Sequence, residues 1–249
     1  MIIAANLVRF CYTMVKDRTF VGPVAGLMNV FIRSVQEMTK FYFVRHGQTE
    51  TNLARRFNGG RTDTPLTASG RDGAIAVGRF LATTGFAGIY ASPMPRAQTT
   101  AELIVAQSRV VQPPIVTDRD LREVDLGKWD GQPLTSVQDD PEIDHYYHHL
   151  TAFDNQRIGA ESFAHALKRG RRAINRIYDA HPDGKVLVVA HGLIGMLLLS
   201  TYLGADLDSA RDVMRIPPNN SISELDTSDG EEFTRGSLWA FVPATAESK

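Results

Sequence analysis

The run Phe41–Tyr42–Phe43–Val44–Arg45–His46–Gly47–Gln48–Thr49 decides how this chain is read. Four aromatic and β-branched residues in a row, with no polar break, describe a strand buried on both faces. Arg45 and His46 then sit where the strand runs out, and Gly47 turns the chain. The same grammar returns twice. Gly88–Ile89–Tyr90–Ala91 is a short strand closed by Ser92–Pro93, with Arg96 just beyond, and Val186–Leu187–Val188–Val189–Ala190 ends in His191–Gly192.

Helical patterns separate these runs. Thr67–Ala68–Ser69–Gly70 opens a helix to about Thr83, with Ala74, Val77, Gly78 and Leu81 on one face. Pro95, tolerated in a first turn, opens another to about Gln107. Phe163, Leu167, Gly170, Ile174 and Ile177 form the apolar stripe of a helix from about Ala160 to Ala180. Its other face carries Arg169, Arg171, Arg172 and Arg176 and reads as solvated. A helix follows His191 through Leu203, Ile115–Val116 belongs to a short strand, and Ile222–Leu225 and Leu238–Phe241 are late strands. The stretch 127–159 has no period and reads as a loop-rich insertion with short helices. Strands alternating with helices give an α/β fold, a three-layer sandwich with a mostly parallel sheet flanked by helices.

Composition narrows the function classes. With 249 residues, 43% hydrophobic and a net charge of −1, the chain is globular and binds no nucleic acid through global charge. Cys11 is the only cysteine, so an internal disulfide and a thiolate cluster are excluded, which fits a cytoplasmic location. The longest apolar stretch, Val186–Leu199, is interrupted by His191 and Gly192 and falls short of the roughly 20 residues of a membrane span. Residues 1–37 carry scattered charge and no clean apolar core, unlike a secretory signal. They are expected to be a weakly ordered extension, or to lie upstream of the native start at Met38, leaving residues 38–249 as the domain.

In open α/β sheets, ligands sit outside the carboxyl ends of the strands. Arg45, His46, Arg96 and His191 therefore meet at one edge. A lone histidine after a strand is usually a structural hydrogen bonder. Together, two imidazoles and two guanidinium groups without a thiolate make a cationic pocket suited to a phosphoryl group.

Arg45–His46–Gly47–Gln48–Thr49 resembles the R-H-G-x-T signature of the histidine phosphatase superfamily, the phosphoglycerate mutase-like family. Further segments match in order. Asn52, Asn58–Gly59 and Asp63–Thr67 resemble its W-N…Q-G…D-x-P-L-T stretch, and Ser92–Ala101 resembles S-P-L-x-R-A-x-x-T-A. Leu121–Gly131 resembles L-x-E-x-x-F-G-x-W-E-G, and Val188–Gly192 resembles V-V-S-H-G. Thr51 stands where the family has Trp and Asn58 where Gln is common. Leu193–Met196 lacks the arginine of the usual continuation.

The resemblance implies a metal-independent phosphomonoesterase with no cofactor, acting on a phosphorylated small molecule. His46 would attack phosphorus and form a phosphohistidine. Arg45, Arg96 and His191 would bind the equatorial oxygens, and Glu123 would protonate the leaving group and later deprotonate water. Gly47, Gln48, Thr49, Asn52, Asn58, Gly59 and Gly192 complete the expected substrate site. A loop carboxylate paired with Arg119 or Arg122 is the plainer reading of Glu123. A mutase, which returns the phosphoryl group to a sugar acid, is the alternative. The family's mutases carry a longer stretch between the acid and the second histidine, with an arginine pair and a proline cluster, whereas Glu123 to His191 is compact. A non-catalytic phospho-ligand module would be expected to lose His46 or Glu123, and both are present. A homodimer stays open. His145, His148 and His149, with Asp139, Asp140 and Asp144 nearby, are either a metal candidate or, as favoured here, part of a cap over the substrate.

Overall fold

The computed structural model describes residues 38–245; Cys11 and the expectations for residues 1–37 lie outside them. Strands β1 (Thr39–Arg45), β2 (Gly88–Ala91), β3 (Ile115–Thr117), β4 (Gly184–Ala190), β5 (Ile222–Thr227) and β6 (Thr234–Arg235) form one sheet in the order β3-β2-β4-β1-β5-β6. The first four are mutually parallel, β5 runs antiparallel to β1, and β6 runs antiparallel to β5.

The unbroken apolar runs of β1 and β4 follow from their central positions. Alternate residues feed opposite layers. Phe41, Phe43, Val186 and Val188 pack into one core with Phe163, Ile174, Leu197 and Trp129. Tyr42, Val44, Leu187 and Val189 pack into the other with Val77, Leu81, Ala97 and Ile104. Each such side chain contributes roughly 1.5–3 kcal/mol by leaving water.

Helix α1 (Glu50–Leu53) is a single turn, and α2 (Ala68–Phe80) and α3 (Pro95–Val105) cover one face of the sheet. The insertion contributes α4 (Glu142–His148) and α5 (Asn155–Ile158), beside 3₁₀ turns. Helices α6 (Phe163–Ala180) and α7 (Gly192–Tyr202) pack on each other against the opposite face, and α8 (Ala210–Val213) follows. Apolar all round and buried through Thr201, α7 is a core helix rather than a surface one. Among the described residues no helix is long and apolar enough to cross a membrane.

Two expectations need correction. Leu238–Phe241 is not a strand; only the bridge Ile222–Phe241 forms, and β6 lies earlier. The Glu224 carboxylate takes the Ser237 and Leu238 N–H groups, and Ala240 adopts φ 50, which breaks the ladder. The arginine face of α6 is not uniformly solvated. Arg169 is buried, while Arg172 and Arg176 are exposed and pair with Asp118 and Asp120.

Candidate active site

Because β1, β2 and β4 are parallel, Arg45, Ala91 and Ala190 end at the same edge. The backbone N–H of His46 donates to the Ala190 carbonyl, and that of Arg45 to the Ser221 carbonyl, so the first histidine is set between two strands. The His46 and His191 ring centroids lie 5.2 Å apart.

Nδ1 of His46 lies 2.7 Å from the Gly47 carbonyl oxygen. A carbonyl only accepts, so Nδ1 carries the proton and Nε2 keeps its lone pair. Burial, then the Arg96 and Arg45 charges, pushes the His46 pKa well below the usual imidazole value. The result is a neutral imidazole with a nucleophilic nitrogen at neutral pH.

His191 is fixed as the other tautomer. Its Nδ1 accepts from Arg96 Nε at 3.2 Å, and a guanidinium never accepts, so Nε2 carries the hydrogen. That hydrogen goes to Ser92 Oγ at 2.7 Å. Burial and the neighbouring Arg96 again hold the pKa well down.

The two arginines differ in how much they have to spare. Arg45 Nη1 donates to the Pro217 carbonyl at 2.7 Å, but its Nε is buried without a partner among the described residues. Burial lowers its pKa to about 10, with Arg96 pushing the same way and Glu123 opposing, so it remains a cation at neutral pH. Arg96 is fully engaged. Nη1 donates to the Thr62 carbonyl and Asp63, Nη2 to the Asn58 and Gly59 carbonyls, and Nε to His191.

Glu123 lies buried against the first turn of α7, not against Arg119 or Arg122. Its Oε1 accepts from the N–H groups of Val124 and Ile194, and its Oε2 from that of Leu193, each at 2.9 Å. Oε1 thus has both lone pairs occupied. Oε2 keeps one free to carry or receive a proton.

The loop after His46 holds the remaining expected residues. Gly47 N–H donates to Thr100, and Thr49 caps α1 in a capping box with Asn52. Asn52 Oδ1 accepts from Thr49 and Asn219, and among the described residues no acceptor is seen for its amide N–H groups. Asn58 donates to Thr49 Oγ1, and its Oδ1 is buried and unpartnered. Gly59 offers its carbonyl to Arg96 and its N–H to Asp130. Gln48 is turned away, with its side-chain oxygen on Thr67 at the start of α2. Gly192 lies against Arg45: a Cβ there would stand 2.7 Å from Ile216 Cγ2 and 3.2 Å from Arg45 Nε.

Three contributors escaped the sequence reading. Ser92 lay inside a quoted motif without a role. Asn219 donates to the His46 carbonyl at 2.9 Å, and the polar pair after Pro217–Pro218 was its only signal. Tyr146, from the insertion, is buried in the fields of Glu123 and Arg45, and burial raises its phenol to about 12. The histidine cluster makes no metal site. His145 bonds Glu142, and no three His, Cys, Asp or Glu side chains among the described residues are placed to hold an ion.

Known proteins resemble this chain in sequence and fold. Residues 41–237 match the family described as the histidine phosphatase superfamily (branch 1). A probable phosphoglycerate mutase, GpmB, of Salmonella paratyphi A is 31% identical over 199 residues, covering 80% of this chain and 90% of that protein. YhfR of Bacillus stearothermophilus superposes with a TM-score of 0.71 at 31% identity, covering 82% of this chain and 98% of the other. A mycobacterial glucosyl-3-phosphoglycerate phosphatase, solved with VO3, superposes with a TM-score of 0.70 at 25% identity, covering 81% and 98%. With the family matched over most of its length and the two histidines at one sheet edge, this chain belongs to the histidine phosphatase superfamily.

Proposed function

We propose that the protein is a phosphomonoesterase that hydrolyses a phosphorylated small molecule through a phosphohistidine. The His46 Nε2 lone pair attacks phosphorus while the ester P–O bond breaks. Glu123 gives its proton to the departing oxygen. Water then attacks the phosphohistidine, Glu123 takes its proton, the P–N bond breaks, and inorganic phosphate leaves. Arg45, with an unpartnered Nε, and the Asn52 amide supply donors for phosphoryl oxygens. Arg96 adds positive charge and fixes His191; a direct bond from it to phosphate requires the Asn58 and Gly59 carbonyls to let go.

One observation favours water over a sugar acid as the acceptor. The family's mutases usually hold the acid substrate with an arginine pair from the segment that corresponds to Glu123–His191. Here all five are committed elsewhere. Arg157 pairs with Asp140, Arg169 with Glu161, Arg172 with Asp120 and Arg176 with Asp118, while Arg171 donates to the Thr201 carbonyl and lies over the Tyr202 ring.

The deciding experiment compares phosphate release across a panel of phosphorylated metabolites with interconversion of the phosphoglycerates, in wild type and His46→Ala. Phosphate release, with base-stable labelling of the wild-type protein lost in His46→Ala, is expected. Interconversion outrunning release would make it a mutase. Tight phospho-ligand binding without turnover would make it a binding module.

A further inference from the structure

Arg169 sits on α6, buried, with all five of its N–H donors engaged. Its Nε and Nη2 grip the two oxygens of Glu161 at 2.7 and 2.8 Å. Nη1 donates to the carbonyls of Asp120 and Arg122 at 2.8 and 2.7 Å, and Nη2 also reaches the Glu123 carbonyl at 3.2 Å. One guanidinium thus gathers three carbonyls of a single short loop, and the last belongs to Glu123.

Glu161 extends the brace. Its N–H donates to the Asp125 carbonyl at 2.8 Å, and its carboxylate accepts from the Asp125 N–H at 3.4 Å. The loop is therefore held on both sides of Glu123. From the opposite side, the Leu193 and Ile194 N–H groups hold the carboxylate. Those donors open α7, which packs on the same α6 that carries Arg169. The backbone and the carboxylate of Glu123 are thereby clamped to two adjoining helices.

We propose that Arg169, held by Glu161, is a positioning residue for Glu123, setting where its carboxyl group meets the leaving oxygen. The inference rests on Glu123 being the proton donor of the proposed hydrolysis. Stability alone gives little reason for this pair, because a buried ion pair costs desolvation that an apolar pair of equal volume avoids. An apolar pair cannot gather three carbonyls. Lysine, with three donors on a flexible stem, cannot reproduce the planar fork either.

The test uses Arg169→Lys and Glu161→Gln in the full chain, with Glu123→Gln alongside. Single-turnover phosphorylation of His46 is measured with an alkyl phosphate and with nitrophenyl phosphate. The alkyl leaving group needs a proton and the nitrophenolate does not. The ratio of the two rates in one preparation does not depend on the fraction folded. In both brace variants the alkyl rate is expected to fall about 10- to 100-fold, the scale of a misplaced catalytic group, while the nitrophenyl rate falls less than about threefold. Equal losses on both esters, including loss through unfolding, or no loss on either, would overturn the positioning role. If Glu123→Gln shows the selective loss and the brace variants do not, the acid assignment stands and this inference fails. If Glu123→Gln loses both esters equally, the acid assignment itself falls.

Discussion

Nε2 of His191 stands 2.7 Å from Oγ of Ser92, so the single N–H of this imidazole ends on a hydroxyl that is itself fully buried. Arg96 fixes the tautomer, because a guanidinium only donates, and Ser92 receives the N–H that results. Ser92→Ala leaves that N–H unsatisfied in the interior, which costs about 1–3 kcal/mol. Turnover is expected to fall about tenfold, the equivalent of about 1.4 kcal/mol in the barrier. The nitrogen chemical shifts of His191, assigned by NMR, should keep the pattern of the Nε2–H tautomer, with Nε2 displaced by the loss of its acceptor. A move toward the Nδ1–H pattern in Ser92→Ala would show that Arg96 alone does not fix the ring.

Acid sensitivity follows from the two buried histidines. Both have pKa values well below the ordinary imidazole value of 6.5. Such a group gains its proton on unfolding, so its stabilising effect is complete above that pH and is lost as pH falls below it. Each adds a slope of up to roughly 1.4 kcal/mol per pH unit below pH 6.5. Urea titrations between pH 7.5 and 5.5 should show stability falling, and His46→Asn should flatten the decline. An equally steep decline in His46→Asn would contradict the low His46 pKa.

Gly192→Ala tests how closely α7 approaches Arg45. The added methyl group meets Ile216 Cγ2 and the guanidinium together, at 2.7 and 3.2 Å. Overpacking of this kind costs about 1–3 kcal/mol. Displacing the Arg45 guanidinium, whose Nε has no partner among the described residues, should raise KM about tenfold and change kcat less, as steady-state kinetics would record. Wild-type KM would mean that Ile216 yields and Arg45 stays.

Arg96→Lys tests a different dependence. The Arg96 side chain has no exposure and ties the Thr62, Asn58 and Gly59 carbonyls to Asp63 and His191. Lysine has too few donors for these acceptors, so stability should fall by about 3 kcal/mol, measurable by chemical denaturation. Activity should not return at high substrate concentration, because His191 loses its Nδ1 partner. Recovery of kcat at saturation would reduce Arg96 to a simple anion contact.

By itself the sequence determined that β1 and β4 are central strands, since only a strand covered on both faces carries Phe41–Val44 or Val186–Ala190 without a polar break. It also determined that Arg45, His46 and His191 share an edge, because parallel strands end on the same side. Arg96 follows from its place just beyond β2, whereas Glu123 is reached through motif resemblance rather than periodicity. Tertiary structure alone decided what these groups do to one another. Each histidine's tautomer depends on a partner distant in sequence or on the local turn: Arg96 for His191, the Gly47 carbonyl for His46. Glu123 finds two of its three donors some seventy residues away, at the start of α7. Arg169 shows the limit most plainly. A helical period assigns residues to faces, and Arg169 lies off the apolar stripe, so it reads as solvated. Its burial arises because the loop around Glu123 folds over that part of α6 and presents three carbonyls to it. Spacing within one helix carries no information about which distant backbone will cover it.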